Sequence, residues 1–175
     1  NVQMGVWADQ GNNYGNFVTW VNKYDPDCFA IIEAETVKKT GSTTGVSSAE
    51  KYFTNGWKET AARFGHSYVA NGGNRDSYSQ ELTSKTPITT LQKITDTDVS
   101  GKPVQHGAGH FRITAGGKEI DIVTMHTWPQ SYAPGASDQA ASTAAAEGDY
   151  YRLHEVEYVM KQTVLNPEYA SQTNW

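Results

Sequence analysis

Asp25-Pro26-Asp27-Cys28-Phe29-Ala30-Ile31-Ile32-Glu33 is the stretch whose reading organises the rest of the chain. Cys28 to Ile32 is apolar without interruption, which predicts a strand buried on both faces. Asp25-Pro26-Asp27 supplies the turn into it. Upstream, Tyr14, Phe17, Val18, Val21 and Tyr24 recur at helical spacing, and Pro26 marks the end of that helix. Residues 1–7 read as a short strand and residues 9–14 as turn chemistry. Downstream, residues 36–45 read as a loop. Ser47 or Ser48 caps a second helix carrying Tyr52, Phe53 and Trp57, with Gly65 as its stop. Residues 67–70 read as a strand and 71–75 as a turn. Short strands at 81–85 and 89–94 bracket Pro87, and residues 96–105 form another loop. Residues 109–115, the Gly116-Gly117 turn and residues 119–126 predict a β-hairpin. A small-residue connection follows at 131–148, helical around 140–146. Leu153, Val156, Val159, Met160 and Val164 predict a last helix, ended by Pro167. Strands that neither alternate strictly with helices nor segregate from them predict a layered α+β domain with mixed sheet pairing.

The bulk numbers narrow the function classes. At 175 residues and 37% hydrophobic, the chain is long enough for one domain with a real core. A net charge of -5 argues against a protein that coats nucleic acid through a basic stripe. It leaves open an enzyme acting on phosphate, because a bound divalent cation can supply the local positive charge. The single cysteine, Cys28, excludes an intrachain disulfide and reads as a small buried hydrophobe. No stretch approaches the roughly 18 apolar residues of a membrane span. Asp96 and Asp98 imitate the start of a calcium loop, but Gly107 stands where its bidentate Glu is needed. The five histidines have no zinc spacing.

Several residues carry candidate chemistry. Glu33 ends an apolar strand, where a carboxylate is costly unless solvated, paired or bound to a metal. His126 ends the strand Ile120-Asp121-Ile122-Val123-Thr124-Met125 and precedes the rigid exit Thr127-Trp128-Pro129. A histidine there suits proton transfer or phosphate contact near neutral pH. Arg75, in a Gly/Asn-rich turn that runs on to Tyr78, can fork onto phosphate oxygens. Trp128 and Tyr132 can stack a base, a sugar or a lipid headgroup. Taken singly, each fits a bland role too: a rim carboxylate, a packed histidine, a solvated arginine, loop packing.

Together these residues resemble the endonuclease/exonuclease/phosphatase family. The resemblance rests on Asn1-Val2-Gln3-Met4-Gly5, similar to the family's N-I-Q strand, and on Asp25 to Glu33, similar to its D-P-D-x-x-x-x-Q-E strand. It extends through Ser84-Lys85-Thr86-Pro87-Ile88, through Ile122-Val123-Thr124-Met125-His126-Thr127, and through Arg152 with Glu155 on the last helix. It implies part of a four-layer α/β/β/α sandwich of the deoxyribonuclease I-like type, with a mixed, mostly antiparallel sheet and flanking helices. It also implies a metal-dependent phosphoesterase using Mg2+ or Mn2+. Glu33 would bind the cation, Asn1 would sit beside it, and His126 would contact the scissile phosphate or assist the leaving group. Arg75, Tyr78 and Trp128 would contact substrate: a nucleic acid, lipid or sugar phosphate.

The resemblance has departures. Ile32 stands where the family has a glutamine. Gln80 stands where deoxyribonuclease-like members orient the histidine with a glutamate. The family's G-D-x-N and S-D-H motifs do not occur in these 175 residues. The expectation is therefore an N-terminal portion holding one sheet, its apolar face awaiting the C-terminal half or a second copy. Such a portion would bind metal weakly and catalyse poorly alone. The rivals are a lipid or sugar phosphodiesterase, and a non-catalytic ligand-binding module on the same sandwich.

Overall fold

The computed structural model describes residues 1–34, 55–74, 78–95, 104–134 and 147–175. The chain is α+β. A single turn α1 (Gln3–Val6) and a 3-10 segment (Trp7–Asn12) lead into helix α2 (Gly15–Tyr24), strand β1 (Cys28–Ile32), helix α3 (Asn55–Ala62) and strands β2 (Tyr68–Asn71) and β3 (Gln80–Ser84). Strands β4 (Thr89–Ile94), β5 (Ala108–Ala115) and β6 (Lys118–Met125) precede helix α4 (Glu147–Gln162) and a 3-10 turn (Pro167–Tyr169). The expected loop at 36–45, the cap at Ser47 or Ser48, Tyr52, Phe53, Arg75, residues 96–103 and the helix around 140–146 lie outside the described residues.

The strands divide into two three-stranded sheets, ordered β1-β3-β2 and β4-β5-β6. This corrects the expectation of a single sheet. Mixed pairing is corrected too: every strand pair among the described residues is antiparallel. Alternation along the strands explains the layering. On β1, Ile31 faces one way and packs with Tyr14, Ala34 and Trp57. Val18 and Val21 of α2 pack with Ala61 and Phe64 from the α3 side. On the opposite face of the same sheet, Leu82 packs against Phe111 and Ile113 of β5. The far face of the second sheet packs Ile94, Val104 and Ala108 against Val159 of α4.

Two readings of β1 change with this topology. The strand lies at a sheet edge, so only Ile31 is fully buried and Ala30 is exposed. Cys28 is half-buried rather than enclosed, and burial together with the Asp27 charge pushes its thiol pKa up. Where the two sheets converge, glycine is a geometric requirement. A Cβ on Gly109 would lie 2.8 Å from Gly72 Cα, and Gly73 N donates to Ala108 O at 2.7 Å. The hairpin turn is as expected, with Gly116 and Gly117 both at positive φ (58° and 74°) as a type I′ turn demands.

Glu81, in the middle of β3, is fully buried, and neither carboxylate oxygen has a hydrogen-bond partner. Burial holds its carboxyl well above the usual carboxylate range, against a small opposing pull from Lys93. The folded state therefore keeps a proton that the unfolded state releases near pH 4.3. A raised pKa means that the proton-linked cost of Glu81 is absent below the unfolded value and grows as pH rises above it. Glu81→Met is expected to raise stability at pH 7 by about 1–3 kcal/mol. Urea unfolding at pH 4 and pH 7 checks this, because the gain should be smaller at the lower pH, where only the cost of the unpartnered neutral carboxyl remains. An equal gain at both pH values would contradict it.

Candidate functional site

Asn1, Glu33 and His126 come from distant parts of the chain and meet at one end of the paired sheets. Glu33 follows β1 directly and His126 follows β6. The first residues lie beside β1 because Val2 N donates to Ile32 O at 2.9 Å. Asn1 Nδ2 donates to Glu33 Oε1 at 2.7 Å, and Met4 N donates to Glu33 Oε2 at 3.2 Å. His126 Nε2 lies 3.2 Å from Glu33 Oε1. The remaining oxygen of Asn1 accepts from Gln3 N at 2.8 Å, which fixes the carboxamide orientation.

The segment expected to be a first strand is instead a tight turn around Glu33. Gln3, Met4 and Val6 have φ of 45°, 52° and 59°, and Glu33 itself has φ 60°. A left-handed conformation costs a non-glycine residue about 1–2 kcal/mol, and a β-branched residue such as Val6 adopts it rarely. The turn aims backbone donors at Glu33 instead of a neighbouring strand: Met4 N at the carboxylate and Gly5 N at the main-chain oxygen (2.8 Å). Strain of this kind persists where surrounding contacts over-determine it, and it clusters at ligand sites.

The electrostatics follow from these contacts. Burial pushes the Glu33 carboxyl up, but the hydrogen bonds from Asn1, His126 and Met4 and the positive charge of His126 outweigh it. The carboxyl sits below the usual range and is ionised at neutral pH. His126 Nδ1 lies 3.0 Å from Thr127 O. Both ring nitrogens thus face oxygen atoms, Nδ1 the Thr127 carbonyl and Nε2 the Glu33 carboxylate. Both side chains keep a path to solvent, with 11% of His126 and 16% of Glu33 exposed.

An aromatic group surrounds His126. Tyr78 stacks on it at 6.0 Å, and His106 meets it edge-on at 4.6 Å. Trp128 stacks on His106 at 5.9 Å. An adjoining cleft of about 390 Å³ is lined by Ile32, Met125, His126, Thr127, Trp128, Pro129 and Arg152. Tyr78 thus lies beside His126 and Trp128 lines the cleft, and Arg75 lies outside the described residues. Gln80, at the position where the family orients the histidine, bonds elsewhere. Its Nε2 donates to His106 O at 2.8 Å, because β3 directs Gln80 into the buried space between the sheets. Nothing in the sequence pointed to His106: it sits in a polar loop with no periodicity to reveal burial.

The residues supply one carboxylate and one carboxamide for a cation. Among the described residues no group of three or more His, Cys, Asp or Glu side chains is placed to hold a metal ion. Magnesium keeps several waters and takes one or two carboxylates plus substrate phosphate, so Glu33 fits part of such a shell rather than a closed cage. Glu33 Oε2, with one backbone donor, has a lone pair left for a ligand. No helix among the described residues is long and apolar enough to cross a membrane. No protein-family model matches the chain, and no curated protein matches it.

Proposed function

We propose that the chain carries part of the active site of a metal-dependent phosphoester hydrolase of the endonuclease/exonuclease/phosphatase kind. The observation that supports this is that Asn1 and His126, far apart in the chain, both meet Glu33 Oε1, at 2.7 Å and 3.2 Å. Support for a deoxyribonuclease I-like four-layer architecture comes from the packing sequence: helices on the first sheet, sheet on sheet, then α4 on the second sheet. A divalent cation, Mg2+ or Mn2+, would supply Lewis-acid polarisation of the phosphoryl oxygens when bound. Glu33 holds it, and Asn1 keeps the carboxylate oriented. His126 holds a proton at Nε2, beside the cleft, for an oxygen that gains charge as the ester bond breaks. Tyr78 and Trp128 flank the substrate. Activation of the attacking water would need a base that Glu33, Asn1 and His126 do not supply.

The substrate reading tilts toward a lipid or sugar phosphate over nucleic acid. The net charge of -5 gives no broad attraction to a polyanion, and the Trp128–Pro129 wall suits a single ring or headgroup. The test is hydrolysis of bis-p-nitrophenyl phosphate by the full-length protein, with magnesium and with EDTA. The expected result is turnover that EDTA abolishes and magnesium restores. A folded full-length protein that cleaves neither this diester nor a panel of nucleic acid, lipid and sugar phosphates in any divalent metal would favour a non-catalytic binding module.

A further inference from the structure

Helix α4 turns Tyr151, Glu155 and Val159 inward, and Glu155 is only 2% exposed. A carboxylate in that position is costly unless both oxygens are used. Here Oε1 accepts from Gln105 N and Oε2 accepts from Trp128 N, each at 2.8 Å. These two amides belong to different loops. Gln105 precedes His106, and Trp128 lies two residues past His126. One side chain thus ties together the loop of His106, whose ring meets His126, and the loop of Trp128, whose ring stacks on His106.

Neighbouring contacts complete the bracket. One turn earlier on α4, Arg152 Nη1 donates to Trp128 O at 2.9 Å and to Gln130 O at 2.7 Å. The peptide of Trp128 is therefore held at its N–H by Glu155 and at its carbonyl by Arg152. From the other side, Gln80 of β3 holds the His106 carbonyl. His106 and Trp128 stack on each other, and His106 in turn meets His126. Burial pushes the Glu155 carboxyl up, while the two backbone donors and the charges of His106 and His126 pull it back.

We infer that Glu155 is a positioning residue: it fixes the His106 and Trp128 loops, and through them the His126 ring, without itself touching substrate. This role rests on the phosphoesterase reading for its effect on rate, but the bracket itself does not. A two-oxygen acceptor is needed, because glutamine of the same shape offers one acceptor and presents an N–H donor to the other amide.

The test has two arms. In the NMR arm, wild-type protein is expected to show through-hydrogen-bond couplings from the Gln105 and Trp128 amides to the Glu155 carboxylate carbon. In Glu155→Gln, at least one of those amides should exchange about tenfold faster, the loss of one charge-assisted hydrogen bond. The His126 and Trp128 ring resonances should shift, while the Leu82 amide in β3 stays unchanged. Should Glu155→Gln fail to fold, Glu155→Asp, which keeps the charge but is one methylene too short to span both amides, is expected to show the same pattern. Absent couplings in wild type, or unchanged rings in a folded variant, overturn the inference. In the kinetic arm, kcat for bis-p-nitrophenyl phosphate should fall by about 10²-fold, as for a displaced catalytic group, with KM nearly unchanged. Lost amide protection with unchanged kcat in an active enzyme would overturn the positioning role and leave the hydrolase reading standing. If wild type cleaves nothing, the hydrolase reading fails and the NMR arm alone decides the bracket.

Discussion

Replacing Glu33 with alanine in the active full-length protein is expected to lower magnesium-dependent phosphodiester hydrolysis by about 10³-fold or more, because a bound cation contributes several kcal/mol to the transition state. The fold should survive. Glu33 stands at the rim, with 16% of its side chain exposed, and the donors it releases are Asn1 Nδ2, Met4 N and His126 Nε2, which water can reach in its place. The left-handed turn over Gln3–Val6 should relax, because its strain is tied to the donors that converge on Glu33. Thermal unfolding and steady-state kinetics with varied magnesium separate the two effects. Unchanged activity with an unchanged magnesium response would remove Glu33 from the metal site.

Trp57→Ala is expected to produce the largest loss of stability, about 3–5 kcal/mol, as for other buried large aromatic side chains cut to alanine. Trp57 is fully buried in the cluster with Tyr14, Ile31 and Ala34, and its ring meets Phe17 edge-on at 5.9 Å. Its indole Nε1 also donates to Ala34 O at 2.9 Å, which anchors the residue immediately after Glu33. Core and site are thus joined by one hydrogen bond. Trp57→Phe should keep most of the packing and cost about 1 kcal/mol for the lost bond. Urea unfolding of both variants checks the ranking. A Trp57→Ala loss under 1 kcal/mol would mean that this cluster does not hold the first sheet to its helices.

The parts of the structure legible in the sequence are those with a local physical signature. The spacing of Val18 and Val21 marks the buried face of α2, and both are buried. Gly116-Gly117 marks the hairpin because two successive positive φ angles are open to few other residues. Glu33 and His126 stood out as polar residues ending apolar strands, but only a family resemblance joined them to Asn1. Features that depend on distant partners left no such signature. Residues 1–7 read as a strand, because the reversal of Gln3–Val6 into left-handed backbone depends on Glu33 receiving its amides. The continuous apolar run at Cys28–Ile32 reads the same for a central and an edge strand, and the exposure of Ala30 follows from strand order alone. Glu155 resembles any polar helix residue until the loops that it bridges are in place.

The most direct test of the metal site is paramagnetic relaxation by Mn2+ titrated into isotope-labelled protein. Line broadening is predicted to begin at Asn1, Glu33, Met4 and His126, to be reversed by excess magnesium, and to be absent in Glu33→Ala. The affinity should be weak, in the roughly millimolar range expected of a single carboxylate. Broadening that starts elsewhere, or that persists in Glu33→Ala, would contradict the assignment of Glu33 as the cation-binding carboxylate and with it the proposed hydrolase.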